Sequence, residues 1–335
     1  EDTLQKCLNH YNKGPIYYRQ DFAYKDDIFV QFNAQVVHFS VAFVYPVNAL
    51  DVQSTIKCSA KLNFTVIAKS GGHSLEGYSI GDRDCILIVD LRYMNKLIID
   101  VATQTAIVKT GNVLDTLFHS LNEHVFAFPT GECTTTGVGS IILGGITNRT
   151  IVNHAKEYPD LFWALRGAEN AGYSIVTTLT LKIYPILKIV TSINVTYDFD
   201  QTQLVYSVMN KLDNSFHPNL TLMFDHQNGS LNEIKPHIQK FMKLTKPKKE
   251  SYVEWDWYHA NIVDTAWKMF NHYKTTVFFI DSPGLSYEDI EYLMEFMRNF
   301  KYVFFVRTML IGGRKVNEIE RNEMAFVHRN SIYMM

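Results

Sequence analysis

The chain has 335 residues, 47% hydrophobic and 20% charged, a balance that is ordinary for a globular protein with a sizeable core. Its formal net charge of -2 argues against a surface that binds nucleic acid or another polyanion. No apolar stretch is long enough to span a bilayer, so we expect no membrane-spanning segment.

Two amphipathic helices are predicted in the first half of the chain. The first covers residues 46–62, where the apolar positions are Leu50, Ile56 and Ala60. The second follows Gly111, and its apolar residues recur at i, i+3, i+4 and i+7. These residues are Leu114, Leu117, Phe118 and Leu121.

Four strands are also predicted in the chain up to Pro185, at 64–70, 85–91, 105–111 and 178–185. The segment "CILIVDL" at 85–91 is continuously apolar, which indicates a strand covered on both faces. The segment "TLTLKIYP" at 178–185 alternates between apolar and polar residues, which indicates a half-buried strand.

Beyond Pro185 the pattern changes to alternating strands, "SINVTYDF", "NLTLMFD" and "YVFFVRTML", with two periodic helices among them. The apolar positions of these helices are Leu204, Val208 and Leu212 in the first, and Ile290, Leu293, Met294 and Met297 in the second. Ser286 and Asp289 form a plausible capping box before the second helix. We therefore predict two α+β domains, residues 1–186 and residues 187–335.

The four cysteines, Cys7, Cys58, Cys85 and Cys133, form no C-x-x-C pair, so neither a closed zinc site nor another metal site is expected. In an oxidising compartment they allow one disulfide with two thiols, or two disulfides. Five N-x-S/T sequons favour an exported glycoprotein, although an Asn-rich chain yields some by chance. They begin at Asn63, Asn148, Asn194, Asn219 and Asn228.

Two glycine-rich stretches are the strongest chemical signals in the sequence. "AKSGGHSLEGYSIG" at 68–81 has three interpretations: a turn with an incidental histidine, a metal ligand, or a group fixed to something against the backbone. A glycine pair after a strand can cradle a phosphate, because no Cβ blocks close approach. The second stretch, "GECTTTGVGSIILGG" at 131–145, lacks the third glycine and the acidic residue of a Rossmann fingerprint. The two glycine-rich stretches together suggest that the protein binds a dinucleotide through a fold other than the Rossmann fold.

Several segments in this order resemble the berberine-bridge-enzyme-like oxidases, flavoproteins of the vanillyl-alcohol-oxidase type. They are "AKSGGHSLEGYS", "VDLRYMNKLIIDVATQTAIVKTGNVL", "FPTGECTTTGVGS" and "DLFWALRGAENAGYSIVTTLTLKIYP". "VEWDWY" at 253–258 and "MAFVHRN" at 324–330 resemble the substrate domain of the fungal oligosaccharide oxidases. The resemblance implies an FAD-binding domain over 1–186 and, over 187–335, a substrate domain with an antiparallel sheet and helices.

The same resemblance implies FAD held by two covalent bonds, from the His73 ring to the flavin 8α carbon and from Cys133 to flavin C6. A neutral imidazole and a thiolate are suitable nucleophiles for such bonds. The position of Thr136 is associated in that family with oxygen access to the flavin. The implied cofactor-binding residues are Lys69, Ser70, Gly71, Gly72, His73, Ser74, Tyr78, Cys133, Thr136, Gly137, Val138, Gly139 and Ile175. It also implies a disulfide between Cys7 and Cys58, which leaves Cys85 as a free buried thiol.

The sequence departs from the family pattern at several places. Ser140 and Ile141 stand where the family has a glycine and a histidine, and Leu75 stands where a tyrosine is expected. A central segment and the C-terminal part with the catalytic tyrosine are missing from the chain, so the substrate domain is expected to be incomplete. Tyr78, Tyr258 and His328 are candidates for the catalytic base by chemistry alone, and each has a packing or surface role as the commoner alternative.

Three interpretations of function follow from these observations. The first is a secreted FAD oxidase that oxidises a hydroxyl of a sugar or oligosaccharide by hydride transfer to flavin N5 and reduces O2 to hydrogen peroxide. The second is a catalytically inactive relative with a structural or binding role. The third is part of a longer, normal enzyme. Substrate identity and oligomeric state stay open at this stage.

Overall fold

The computed structural model describes about three quarters of the chain. The described residues are 2–29, 33, 36–129, 131, 133–144, 158–167, 172, 174–186, 189–212, 227–228, 231–262, 279–281, 284–299, 309–310, 320, 322–323, 325, 328 and 331–334. The predicted strand "NLTLMFD" and the sequons at Asn148 and Asn219 lie outside these residues.

The first half of the chain alternates between short helices and strands. Its helices are α1 (Asp2–Tyr11), α2 (Phe22–Phe29), α3 (Ala49–Lys61), α4 (Leu114–Glu123), α5 (Val138–Ile141) and α6 (Pro159–Leu165). Its strands are β1 (Ile16–Tyr18), β2 (Ala42–Val44), β3 (Val66–Lys69), β4 (Leu87–Asp90), β5 (Leu97–Asp100), β6 (Thr105–Lys109), β7 (Phe126–Ala127), β8 (Thr178–Lys182) and β9 (Tyr184–Pro185).

A four-stranded sheet in the order β1-β2-β4-β3 forms the centre of this half, and β2, β4 and β3 run parallel. Strand β4 lies between two neighbours and is buried at every position, as its continuous apolar run predicted. Leu87 packs with Leu4 and Leu8 of α1, whereas Ile88 packs with Tyr24 of α2. The two faces of β4 therefore lie in two different apolar clusters.

A second sheet, in the order β5-β6-β8, is antiparallel. Leu179 and Leu181 of β8 and the following Ile183 are buried, which confirms the alternation predicted at 178–185. Helix α4 buries Leu114, Leu117, Phe118 and Leu121, the four residues that the spacing predicted.

The second half of the chain consists of antiparallel strands and longer helices. The helices are α7 (Thr202–Leu212), α8 (Leu231–Thr245), α9 (Trp257–Ile262) and α10 (Tyr287–Asn299). The strands are β10 (Val190–Thr196), β11 (Gln227–Asn228), β12 (Lys249–Trp255), β13 (Phe279–Asp281), β14 (Met309–Leu310) and β15 (Ser331–Met334). The sheet β11-β10-β12 is antiparallel, and Ile193 of β10 packs on Val205, Met209 and Phe241 of α7 and α8.

The capping box predicted before α10 is present. The backbone N–H of Asp289 donates to Ser286 Oγ over 3.1 Å, and the N–H of Ser286 donates to Asp289 Oδ2 over 2.9 Å. These two bonds satisfy donors that a helix N-terminus leaves without intrahelical partners.

The chain divides into two compact units. One contains Glu1–Pro185 and the other contains Ile186–Ala260, and shorter later segments are shared between them. The assignment of residues 1–186 and 187–335 to an FAD-binding and a substrate domain stays a prediction. Both halves mix helices with sheets, which confirms the α+β class and the antiparallel sheet with helices expected after residue 186.

The predicted buried face of α3 was wrong, although the helix itself is present. Leu50 is 68% exposed, Ile56 is 40% exposed and Ala60 is also exposed. The buried face contains Asp51, Val52, Thr55, Cys58 and Ser59. Polar side chains occupy it because they bond locally: Thr55 Oγ1 donates to Asp51 O, and Ser59 Oγ donates to Thr55 O.

The predicted burial of Cys85 was also wrong. The structure contains the Cys7–Cys58 disulfide, and Cys85 is a free thiol, but it is exposed. Strand β4 begins two residues later, at Leu87, and Cys85 precedes it with a φ of 65°. The bend before the strand therefore directs the Cys85 side chain away from the core, near Arg19 Nη2 at 3.6 Å.

Candidate functional site

The first glycine-rich stretch begins at the carboxyl end of β3. Lys69 is the last residue of that strand, and Ser70 to Ser74 continue directly from it. Gly72 has a φ of 72°, a conformation that favours glycine, and it lies directly before His73. The loop therefore projects its histidine from the edge of the parallel sheet.

The second glycine-rich stretch is held by the N-terminus of α4. The N–H of Leu114 donates to Thr136 O over 3.0 Å, and the N–H of Asp115 donates to Thr134 O over 2.8 Å. The preceding residue, Val113, makes no side-chain cap, so these two carbonyls satisfy N–H groups that the helix itself cannot. The turn that carries Cys133 is thereby fixed to a buried helix.

The two stretches pack directly against each other at their glycines. A Cβ on Gly71 would lie 2.3 Å from Gly137 N, and a Cβ on Gly137 would lie 2.2 Å from Gly71 N. Ser70 Oγ donates to Thr110 O over 2.5 Å and holds the same junction. Close backbone packing therefore requires glycine at both positions without reference to a ligand, and the cradle for a pyrophosphate stays a prediction.

His73 and Cys133 meet at one hydroxyl group. His73 Nε2 lies 2.6 Å from Thr135 Oγ1, and Cys133 Sγ lies 3.7 Å from the same oxygen. Thr136 Oγ1 lies 3.4 Å from the other ring nitrogen, His73 Nδ1. Residues that are 60 positions apart in the chain thus place an imidazole and a thiol around a single threonine.

Burial controls the charge of this histidine. Desolvation lowers the pKa of His73 from 6.5 to about 4. The imidazole is therefore neutral at physiological pH, the protonation state in which a ring nitrogen can act as a nucleophile. The donor set, a neutral imidazole and a thiol held within reach of one another, fits an electrophilic ring such as a flavin.

Lys69 belongs to a charged cluster, buried except at the partly exposed Arg92, which we define as Asp27, Tyr45, Lys69, Asp90 and Arg92. Lys69 is 3% exposed, and its Nζ lies 3.4 Å from Asp90 Oδ2. Arg92 contacts both oxygens of Asp90 and also Asp27 Oδ1, and the Tyr45 hydroxyl donates to Asp27. Desolvation lowers the pKa of Lys69, and Asp90 acts in the opposite direction.

Several other predicted site residues lie near the loop but have contacts of their own. Ser74 Oγ accepts from the N–H of Tyr78 over 2.9 Å, and Tyr78 is 70% exposed. Val138 is fully buried at the start of α5, and Gly139 follows it. A Cβ added to Gly139 would lie 3.0 Å from Thr110 Cβ. Ile175 packs against the core cluster that contains Val52 and Val89.

Two of the three candidates for a catalytic base belong to the second compact unit. The ring of Tyr258 contacts that of His259 edge to face, with centroids 5.5 Å apart. His328 stacks on Phe279 at 3.9 Å. These contacts are packing interactions, and a catalytic role for Tyr78, Tyr258 or His328 stays a prediction.

No sequence pattern indicated a role in the site for Thr135, Thr110 or the members of the charged cluster other than Lys69. Thr135 lies within the quoted "CTTTG", but three adjacent threonines gave no reason to select the middle one. Within the described residues, no group of three His, Cys, Asp or Glu side chains could hold a metal ion. The same part of the chain has no helix with the length and apolar character needed for a membrane crossing.

Comparison with known families gives an independent assignment of this region. Residues 41–156 match the model of the FAD binding domain. Berberine bridge enzyme-like 18 of Arabidopsis thaliana is 28% identical over 198 residues, which cover 52% of this chain and 37% of that protein. The chain spans less than half the length of the curated relatives that it matches.

Solved structures share the fold over nearly the whole chain. BBE-like 1 of Physcomitrella patens has a TM-score of 0.89 at 22% identity, covering 99% of this chain and 82% of that one. Glucooligosaccharide oxidase of Acremonium strictum, described with a 6-S-cysteinyl, 8α-N1-histidyl FAD, has a TM-score of 0.81 at 21% identity, covering 99% and 80%. Residues 41–156 therefore match an FAD binding domain, and the chain is similar to berberine bridge enzyme-like proteins, in sequence over part of its length and in fold over nearly all of it.

Proposed function

We propose that this chain is the flavin-carrying part of a secreted oxidase in which FAD is attached to both His73 and Cys133. The observation that carries the proposal is that His73 Nε2 and Cys133 Sγ both contact the same hydroxyl oxygen, Thr135 Oγ1. A related fold, that of the Acremonium strictum oxidase, is described with histidyl and cysteinyl bonds to FAD.

The remaining residues of the two loops are proposed to bind and orient the cofactor. The proposed binding residues are Ser70 to Ser74 and Thr136 to Gly139, together with Lys69, Tyr78 and Ile175. Bound FAD would supply the hydride acceptor at N5 and pass the electrons to dioxygen. The chain's own contribution is a rigid loop junction and a neutral imidazole at the attachment point.

The proposed substrate is a hydroxyl group of a sugar or oligosaccharide, with O2 as the second substrate and hydrogen peroxide as a product. The resemblance of "VEWDWY" to the oligosaccharide oxidases supports this class, and so does the fold shared with a glucooligosaccharide oxidase. Secretion is supported by the Cys7–Cys58 disulfide, because structural disulfides persist in oxidising compartments. No nucleic acid partner is proposed.

The covalent link is tested by intact mass and colour. Protein secreted from a flavin-replete eukaryotic host should stay yellow after acid precipitation, and its deglycosylated mass should exceed that of the polypeptide by one FAD. His73→Ala and Cys133→Ser should each retain the flavin through the other bond, and the double variant should release it. Cys85→Ser, which removes the exposed thiol, is the matched control and should retain both bonds. Colourless wild-type protein with the bare polypeptide mass would refute the proposal.

A catalytically inactive relative is the second candidate, and the exposure of Tyr78 favours it, because a phenol in solvent is a poor positioned base. The two candidates differ in peroxide release from a panel of mono- and oligosaccharides. An active oxidase produces peroxide with at least one sugar and none with the double attachment variant. A flavin-bearing protein that produces none with any sugar is the inactive relative.

A further inference from the structure

We propose that Thr135 is a positioning residue whose hydroxyl sets the His73 tautomer and activates the Cys133 sulfur. The inference deepens the proposed function and rests on it only where the cofactor is concerned. Its basis is geometric, since one oxygen contacts His73 Nε2 at 2.6 Å and Cys133 Sγ at 3.7 Å.

The backbone around Thr135 is held in place before any ligand binds. The N–H of Thr136 donates to Cys133 O over 3.0 Å and closes a turn in which Thr135 is a central residue. The carbonyls on either side of Thr135, those of Thr134 and Thr136, accept from the N-terminus of α4. The Thr135 side chain therefore starts from a fixed backbone position between His73 and Cys133.

We assign the direction of the hydrogen bonds from the number of protons available. A hydroxyl has one proton, so Thr135 donates to only one of its two neighbours. If it donated to His73, the second contact would depend on a thiol S–H, which is a weak donor. If His73 Nε2–H donates to Thr135 Oγ1, the Thr135 O–H is left to donate to the sulfur, and this bond strengthens when the sulfur is a thiolate.

This direction also assigns the other nitrogen of the ring. With the proton on Nε2, His73 Nδ1 is the acceptor nitrogen and faces Thr136 Oγ1 at 3.4 Å. Nδ1 is then the nucleophile, and the sulfur beside Thr135 is the second one. The two threonines thus have separate roles. Thr135 links His73 Nε2 to the Cys133 sulfur by hydrogen bonds, and Thr136 lies beside the reacting nitrogen, Nδ1.

Attachment at either position has a simple chemical balance. The nitrogen or sulfur replaces one hydrogen of the flavin, and dioxygen takes up the two electrons and two protons of that exchange as hydrogen peroxide. Thr135 takes no part in the bond changes. It positions the two nucleophiles through its hydrogen bonds.

The first experiment measures Cys133 reactivity without flavin. Apoprotein from a riboflavin-limited host is alkylated with iodoacetamide at pH 7, and peptide mass spectrometry follows Cys133 and Cys85 in the same sample. Thr135→Val removes the hydroxyl at similar volume and should slow Cys133 alkylation by about threefold to tenfold, because thiolate is the reacting form. The exposed Cys85 is the internal reference and should not change.

Three further variants separate the hydroxyl from the fold. Thr135→Ser keeps the hydroxyl and should restore the wild-type rate. Thr136→Val removes the neighbouring hydroxyl, which contacts His73 and not the sulfur, so Cys133 should be affected less than by Thr135→Val. Thr135→Ala is the substitute if Thr135→Val does not fold. Alkylation of Cys133 within twofold of wild type in a folded hydroxyl-free variant would overturn the proposal.

The second readout is the flavin linkage itself. In protein from a flavin-replete host, Thr135→Val should lower the fraction of flavin on the Cys133 peptide more than the fraction on the His73 peptide. The two failures are distinguishable: wild-type protein without bound flavin refutes the proposed function, whereas the alkylation rates of apoprotein still decide the role of Thr135. Unchanged linkage at both peptides contradicts the role of Thr135 alone.

Discussion

At the scale of single residues, the chemistry of the site depends on burial. Burial lowers the pKa of the His73 imidazole to about 4, so the folded protein disfavours the charged ring. Burial also lowers the pKa of Lys69, but Asp90, directly across the parallel strands, acts in the opposite direction. Desolvation keeps the imidazole neutral, whereas the buried ammonium lies beside a carboxylate.

The shift of His73 predicts a pH dependence of stability. The folded pKa lies below the unfolded value of 6.5, so unfolded His73 binds a proton that folded His73 does not between pH 6.5 and about 4. Stability from this residue is complete above pH 6.5 and is lost as pH falls through that range. Urea unfolding of flavin-free protein should show a steeper loss for wild type than for His73→Asn. Parallel pH profiles would contradict the prediction.

The charged cluster predicts a contrast between a buried and an exposed carboxylate. Asp90→Asn leaves Lys69 and Arg92 without their common partner in a buried site, and we expect a loss of about 3–5 kcal/mol in the free energy of unfolding. Asp82→Asn, in an exposed pair with Arg83, is the matched control and should change stability by less than about 1 kcal/mol. Denaturant titration measures both, and equal losses would refute the distinction.

At the scale of elements, the site is a junction between two loops and not a single motif. The loop after β3 and the turn before α5 approach so closely that an added Cβ on either Gly71 or Gly137 would overlap the backbone of the other. Two backbone hydrogen bonds from the N-terminus of α4 hold the segment before α5 in place. Secondary structure thus brings the imidazole to one side of the junction and the thiol to the other.

The junction predicts a graded response to alanine. Gly71→Ala places a methyl group 2.3 Å from a backbone nitrogen, so we expect a loss of about 2–4 kcal/mol and weaker flavin attachment. Gly139→Ala is the matched control, because its nearest neighbour lies at 3.0 Å and it is the second residue of α5. Its change should stay below about 1 kcal/mol. Similar losses for both variants would show that close packing at Gly71 is not the cause.

At the scale of the whole molecule, the fold is shared far more widely than the sequence. The structure aligns over 99% of the chain with a protein only 22% identical to it. Packing tolerates such divergence when the apolar pattern and volume are kept. Two described sequons also lie on the molecular surface, since Asn63 and Asn194 are both exposed.

Exposure of Asn63 predicts a glycan there when the chain is secreted. Asn63 follows α3 in a tight turn with a φ of 59°, and its side chain is accessible to the modifying enzyme. Asn63→Gln and Thr65→Ala should each remove the mass of one N-glycan, whereas Thr65→Ser keeps the sequon and should not. Mass spectrometry before and after deglycosylation decides the outcome. An unmodified Asn63 in secreted wild-type protein would contradict the prediction.

The sequence alone determined the elements whose periodicity is strong, and it predicted the two proposed nucleophiles. Helix α4, the alternation at 178–185, the capping box at Ser286 and the buried strand β4 all follow from local patterns, because burial repeats with the period of each element. His73 and Cys133 were identified through the motifs around them.

Only the tertiary structure decided which face of α3 is buried, that Cys85 is exposed, and that Thr135 lies between His73 and Cys133. The physical reason is the same in each case. These properties depend on partners that are distant in sequence, such as Cys7 for α3 and His73 for Thr135, and a local pattern contains no information about which distant groups will meet.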